Sequence, residues 1–515
     1  MAPRHVRLAA APPDRVRQAL DELLAELEIP LTFSSAALAE AEHAAAGPPP
    51  AHADRTDLAV VTIDPPGSRD LDQAVHLARA DDGGFVVHYA IADVASFVVP
   101  GGALDRSVHE RGVTVYGPTG SVPLHPEVLS AGAASLLPDE VRPACLWRIV
   151  LDADGAIRDA SVSRALVRSR AQLTYAQVQA VLDGGADPAV PAELPDLLRE
   201  VGTARQRKES ERGGMSLDIP EQSVIPANGG YELELRATLP VEGWNAQISL
   251  LTGIAAAAIM REYGTGVLRT LPDADPRDVA RLRRTAEALG IDWPGGRSYG
   301  ELIRALDAAV PAHAAFLNEA TSLFRGADYH AFGAGIEDEQ QSGTRHAAIA
   351  AEYAHVTAPL RRLVDRYGLE VCLAACAGTA VPEWVLEALP GLPRTMARTT
   401  QRASRFENGA VDTVEALVLE GSVGEMFEAV VIEVEDHGRA DGGAASDGAP
   451  GRSGGADGNG NGSADGLGRG TVMLTAPPVE GRVRGRDLPL GERVRVRLVE
   501  VDVVRRRIDF ELVRA

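Results

Sequence analysis

The apolar residues of this 515-residue chain change their repeat three times, and each change limits what the next stretch can become. Up to about residue 56 the spacing is helical. DRVRQALDELLAELEI reads as an amphipathic helix, an alanine-rich helical piece follows, and the prolines of AAAGPPPAHADR mark a boundary. From Asp57 the pattern turns strand-like: DLAVVTIDP and GGFVVHYAIADVASFV, with the turn ARADDGG between them, predict a β-hairpin. Strands and helices alternate to about residue 240, and from 244 to 420 the period is mainly helical. Residues 421–515 then offer five short strands at small-barrel spacing: EAVVIEVED, GTVMLTA, EGRVRGRDL, RVRVRLVEVD and RRRIDFELV. The expected fold is therefore α+β. A helical extension and proline-rich linker cover 1–56, a mixed domain with a helical second half covers 57–420, and a five-stranded OB-type barrel covers 421–515. A glycine-rich run at about 437–470 has too few apolar residues for a core and reads as a disordered insertion in a barrel loop.

Composition removes several function classes. Lys208 is the only lysine, so no Gly-Lys-Ser/Thr phosphate loop exists, and HExxH is absent. GRSGG at 451–455 fits a nucleophile elbow but lies in the low-complexity run, with no strand before it and no helix after it. Three cysteines, Cys145, Cys372 and Cys376, are too few and odd in number for a disulfide framework and point to a reducing cytoplasm; Cys372 and Cys376, one helical turn apart and without nearby histidines, read as plain buried thiols and not as a metal pair. The longest apolar run, near LLTGIAAAAIM, is too short and interrupted to span a bilayer, and the first residues lack the apolar core of a signal peptide. A cytoplasmic protein with no membrane attachment is expected. The formal charge of −22 speaks against general polyanion binding, yet residues 479–515 hold ten arginines against seven acids. Arg394, Arg398, Arg402 and Arg405 also form one basic stripe on a helix, either a solvated face or a phosphate track.

The chemistry concentrates in TIDPPGSRDLDQA, residues 62–74. Asp70 and Asp72 are two apart and share a face in an extended segment, and the Pro-Pro-Gly turn can bring Asp64 to them. Convergent carboxylates repel unless a cation sits between them, and hard oxygen ligands favour magnesium or manganese. A surface turn rich in aspartate has the same spacing. A second motif, EYAHVTAPLRRLVDRY (352–367), puts Pro359 where a helix's first turn tolerates it, so that Arg361 and Arg362 project near a helix N-terminus suited to a phosphate. An ion pair with Asp365 is the competing reading for Arg362.

Together these motifs, about 290 residues apart, and the C-terminal barrel resemble the RNB family of exoribonucleases, the ribonuclease II and ribonuclease R type. DLAVVTIDPPGSRDLDQAV, YAIADVASFV, RGVTVYGPTGSVPLHPEVLS, AQLTYAQV and YAHVTAPLRRLVDRY are similar to family segments in the same order, over roughly residues 57–420. The resemblance implies magnesium-dependent (manganese possible), processive hydrolysis of single-stranded RNA from its 3′ end to nucleoside 5′-monophosphates, with no small-molecule cofactor. It implies metal-site positions at Asp64, Asp70, Asp72 and Gln73, with Asp72 most needed for chemistry and Arg361 holding the scissile phosphate. RNA-contacting positions would be Tyr116 as a stacking clamp, Tyr175 near the terminal nucleotide, Leu217 in place of a second aromatic, Arg362, and Glu407 lining the channel.

Two departures stand out. The family pattern is Asp-x-Asp-Asp, whereas this chain reads Asp70-Leu71-Asp72-Gln73, which removes one formal charge unless another acid such as Asp93 compensates. The 56 leading residues are also too few and too helical for the family's two cold-shock domains, which leaves RNA binding to the barrel and the arginine stripes. The alternative is a catalytically impaired RNA-binding protein on the same fold. A magnesium hydrolase of small phosphoesters fits the aspartates but not Tyr116 or the basic barrel.

Overall fold

The computed structural model describes residues 14–513 except 119, 216–220, 228–229, 237, 308–309, 334, 337–342, 435–467, 476 and 478. Leu217 and nearly all of the glycine-rich run lie outside the described residues.

Helices α1 (Asp14–Glu26) and α2 (Ser35–Ala46) lie where the sequence period puts them, and the Ser34 hydroxyl caps α2 by accepting the Ala37 N–H. The strands that follow are β1 (Ala53–Asp54), β2 (Thr62–Asp64), β3 (Gln73–Arg79) and β4 (Phe85–Ala92). After α3 (Ala103–Arg111) come β5 (Val115–Gly117), β6 (Gly120–Val122), β7 (Val141–Leu151), β8 (Ile157–Arg168) and β9 (Gln172–Thr174). The main sheet has the order β1-β8-β7-β4-β3 and is antiparallel except for β1 beside β8.

The hairpin differs from the sequence expectation. Its strands are β3 and β4 around the Ala80–Gly84 turn, where Gly83 takes φ 83°. The segment holding β2 ends at Pro65-Pro66-Gly67, cannot continue as a ladder, and pairs in parallel with β9 instead.

The second half is mainly helical: α4 (Tyr175–Leu182), α5 (Leu194–Glu211) and α6 (Pro240–Tyr263), with a hairpin of β10 (Glu221–Ala227) and β11 (Gly230–Arg236) before α6. Strands β12 (Gly266–Thr270) and β13 (Asp328–Phe332) pair across α7 (Pro276–Ala288), α8 (Tyr299–Ile303) and α9 (Pro311–Ala320). Helices α10 (Leu363–Ala377), α11 (Glu383–Ala388) and α12 (Leu392–Leu419) follow. By length and composition α6 could cross a membrane, contrary to the estimate from sequence. Its Ile248, Leu251 and Ala256 are nevertheless fully buried in the protein core, and its Gln247 donates to Glu209 of α5. The core joins Trp147, Tyr89 and Ile91 of the sheet to Leu251 and Met260 of α6 and to Val364 and Tyr367 of α10. Each such side chain contributes about 1.5–3 kcal/mol by burial.

The C-terminal strands β14 (Met426–Val434), β15 (Gly468–Leu474), β16 (Glu480–Gly485), β17 (Arg493–Asp502) and β18 (Arg507–Val513) close a barrel in the order β14-β15-β16-β18-β17. Within it β16 and β18 are parallel, giving the Greek-key arrangement of an OB fold. Helix α12 ties the two bodies together: Met396 belongs to the first core, while Phe406, Ala410 and Val414 join α1 and the barrel in the second. The cysteines are free thiols, with Cys145 and Cys372 buried; Cys376 is exposed, which the sequence reading did not expect.

Candidate active site

The acidic segment is pinned from below. Gly67 adopts φ 81° to turn the chain after the two prolines, and Leu71, fully buried, anchors the loop in the core. Its N–H donates to the Ser135 hydroxyl at 3.0 Å, and that hydroxyl donates to the Arg69 carbonyl at 2.7 Å. With Leu71 pointing inward, Asp70 and Asp72 face the other way. Asp64 ends β2, whose register pairs it with Thr174 of β9. Thr174 forms a capping box with Gln177, so α4 begins with Tyr175 immediately beside Asp64.

Arg361 arrives from the far side on the loop ahead of α10. The Leu363 N–H donates to the Gly112 carbonyl at 2.9 Å, and the Thr114 N–H donates to the Arg361 carbonyl at 3.0 Å. Gly112 has φ 69°, and a Cβ there would lie 2.1 Å from the Thr399 hydroxyl, so only glycine fits. The Leu360 N–H donates to Asp72 Oδ1 at 2.7 Å, a direct tie between the two motifs across 288 residues. The other oxygen, Asp72 Oδ2, lies 3.7 Å from Arg361 Nε and has no hydrogen-bond partner. Asp64 Oδ2 is likewise buried and unpartnered. The Arg361 side chain stays about 40% exposed, so a ligand can reach it.

Burial dominates the electrostatics. It pushes Asp72 up to about 7; Arg361 and the Leu360 N–H oppose the rise, while Asp70 and Asp365 add to it. Burial likewise pushes Asp64 up to about 6, with Arg361 opposing and Asp70 assisting. Two buried carboxyls, each with an unpartnered oxygen and with one guanidinium 3.7 Å from the nearer of those oxygens, are short of positive charge. The donors are all hard oxygen and two of them are buried without a partner, ligands of the kind a divalent cation takes; Asp64, Asp70 and Asp72 are the residues that would hold one. Among the described residues no three acid, thiol or imidazole groups are drawn together at metal-binding distance.

The remaining sequence candidates divide. The Tyr116 hydroxyl donates to Asp70 Oδ2 at 3.3 Å, which places the phenol on the acids. Glu407 of α12 accepts the Tyr116 backbone N–H, and burial pushes it up to about 7. The Arg362 guanidinium is bidentate on Asp365, at 2.9 and 2.7 Å, so the ion-pair reading accounts for it without RNA. Helix α10 begins at Leu363, so Pro359 lies in the preceding loop and not in a first helical turn. Gln73, expected at the metal site, has both ends of its amide engaged elsewhere, donating to the Thr357 carbonyl at 2.7 Å and accepting from Tyr89 at 2.6 Å. Asp93 does not replace the missing acid. Burial would raise it, but His52, Arg164 and Ser96 win and hold it low, and its Arg164 partner also bonds to Glu370. On the α12 stripe, Arg402 donates to the carbonyls of Glu28 and Glu110, whereas Arg394, Arg398 and Arg405 are exposed.

The sequence reading missed Tyr89, Ser249 and Asn245, which bond to Gln73 or Tyr175 behind the acids. Tyr89 carried a faint signal, an inward-facing phenol in an otherwise apolar strand, but its partner emerges only from the β3–β4 register.

The structure thus defines a protein of two parts, a mixed α+β body that brings acids and an arginine together and a closed five-stranded barrel of OB type. The RNB domain model matches residues 52–371, and the model of the RNase II-type exonuclease C-terminal S1 domain matches residues 456–513. The chain belongs to the RNB family. It is 29% identical over 499 residues to Ribonuclease R of Escherichia coli, covering 89% of this chain and 57% of that protein. It is 25% identical over 504 residues to Ribonuclease R of Aquifex aeolicus, covering 88% and 63%. The chain thus spans about three-fifths of the length of these relatives. Its fold matches Mycoplasma genitalium RNase R, solved free and with ribose-methylated single-stranded RNA, at a TM-score of 0.79 and 18% identity, over 97% of this chain and 78% of that one.

Proposed function

We propose that this chain is a divalent-metal-dependent exoribonuclease that processively removes nucleotides from the 3′ end of single-stranded RNA as 5′-monophosphates. The observation that carries the reading is Asp72, buried, with one oxygen bonded to the Arg361 loop and the other bare and facing Arg361. Asp64, Asp70 and Asp72 would hold magnesium, which when bound supplies an activated water and neutralises developing phosphate charge. Arg361, fixed through its own carbonyl and the Leu360 N–H, presents its guanidinium to the scissile phosphate and stabilises charge on its oxygens. Tyr116 steers Asp70 through its hydroxyl and offers its ring to a base. Tyr175, beside Asp64 and bonded to Asn245, lines the place for the terminal nucleotide. The family membership and the RNase R relatives support the activity and its RNA substrate.

Gln73 favours a second reading, an RNA-binding protein with impaired cleavage, because it leaves the cluster one carboxylate short. RNA labelled at its 5′ end separates the two. A magnesium-dependent ladder running to one short product, lost with EDTA and in Asp72→Asn, supports the enzyme. Intact RNA with retained binding, in magnesium and in manganese, supports the binder.

A further inference from the structure

We propose that Gln73 is a positioning residue: its side-chain amide sets the height of the Thr357–Arg361 segment, and with it the Arg361 guanidinium, over the acids. This rests on the proposed activity for its rate readout only.

The Gln73 Nε2 donates to the Thr357 carbonyl at 2.7 Å, and the Oε1 accepts from Tyr89 at 2.6 Å and from Ser249 at 3.4 Å. A backbone carbonyl can only accept, so the NH₂ end must face Thr357 and the orientation of the amide is fixed. Because Tyr89 gives its proton to Gln73, the Ser249 hydroxyl, 2.9 Å from the Tyr89 oxygen, shares its single proton between that oxygen and Gln73 Oε1, which links β4 and α6 to β3. Register places Tyr89 opposite Val75, on the same face of the ladder as Gln73, and Tyr89 is only 1% exposed. Gly253 of α6 lets the neighbouring chain approach, since a Cβ there would sit 2.0 Å from the Tyr353 ring and 2.6 Å from the Ala354 carbonyl. From this floor the segment rises to Arg361, with the Ala358 N–H on Asp365 at 2.7 Å and the Leu360 N–H on Asp72 at 2.7 Å. Gln73 therefore braces the near end of the segment whose far end Asp72 holds. A carboxylate at position 73 has no N–H for Thr357 and would set negative charge against its carbonyl. On this geometry the glutamine is a requirement of the site and not a weakened metal ligand.

The test compares wild type with Gln73→Met, which keeps the shape and loses the donor, and with Gln73→Glu. Four quantities are read: melting temperature, RNA dissociation constant, single-turnover cleavage at saturating RNA and magnesium, and hydrogen exchange over residues 352–367. Both variants are expected to bind RNA as wild type does and to cleave roughly ten- to hundredfold more slowly. Exchange is expected to speed up at Ala358 and Leu360 and to stay unchanged in the barrel. Magnesium titrated against melting temperature is expected to show no gain in affinity for Gln73→Glu. Wild-type rate and exchange in Gln73→Met, or tighter magnesium binding with undiminished rate in Gln73→Glu, overturns the proposal. If either variant fails to fold, Tyr89→Phe, which loosens the same brace from its other side, is read the same way. If wild type itself does not cleave RNA, the exchange and magnesium arms still decide the role of Gln73, and the activity reading falls separately.

Discussion

Asp72 is buried on both sides of its function: one oxygen serves the fold through Leu360 and the other waits for positive charge. Because its folded value is raised to about 7 from an unfolded value near 3.8, the linkage has a definite sign in the metal-free protein. Stability is fully present below about pH 4 and is lost as pH rises through about 7, by an amount on the order of a few kcal/mol. Asp64, raised to about 6, adds to the same slope. Thermal melts in EDTA from pH 5 to 8.5 should therefore decline with pH, and magnesium should flatten the decline. Asp72→Asn should melt higher than wild type at pH 8 in EDTA while losing cleavage; a variant melting lower there would refute the account. Arg361 offers a second check. Arg361→Lys keeps a charge but loses the planar fork, so cleavage should fall roughly a hundredfold while RNA affinity barely moves. In the sequence, the Pro-Pro-Gly turn made it legible that Asp64 can approach Asp70 and Asp72, but a surface turn rich in aspartate has the same spacing, and it is the family resemblance that favours a metal site. The ion pair of Arg362 with Asp365 was legible from their spacing of three, and the fold shows it as bidentate; what Gln73 does was not legible, because its partners lie on other elements.

At the scale of elements, local period sufficed for α1, α2, α6 and the barrel strands, because each carries its apolar spacing within itself. It failed for the hairpin and for the start of α10, both decided by partners far along the chain: β9 for β2, and Gly112 with Thr114 for the Arg361 loop. The docking of α2 onto α3 was equally invisible. The N-cap of α3 is Gly102, which has no side chain to offer, and Glu40 supplies the cap from another helix by accepting the Ala103 and Leu104 N–H groups, each at 2.8 Å. Those two bonds hold the Glu40 carboxyl below its ordinary value. Its contribution is thus present above about pH 4.5 and lost as pH falls. Glu40→Ala should cost about 1–2 kcal/mol in denaturant unfolding, Glu40→Gln about half of that, with cleavage per folded molecule unchanged. Equal stability of all three proteins would show that α2 does not cap α3 in solution.

Across the whole molecule the charges are sorted. A chain with formal charge −22 keeps its barrel edge basic, and on β15 and β16 the exposed Arg469 and Arg484 stand directly opposite each other. A phosphate backbone crossing that pair would release counterions from each contact, with a salt slope of about 0.7 per neutralised phosphate for a single strand. Arg469→Gln with Arg484→Gln should therefore weaken binding of a single-stranded RNA several-fold at ~0.1 M salt and lower the slope of log affinity against log salt by about 1.4. Cleavage at saturating RNA should stay as in wild type, because neither arginine touches the acids, and sequence preference should not change, since phosphate contacts carry none. An unchanged slope would move the RNA off the barrel. The exposed Arg394, Arg398 and Arg405 of α12 would then be the track to remove next, on the helix that runs from the first core past Tyr116 into the barrel's own core.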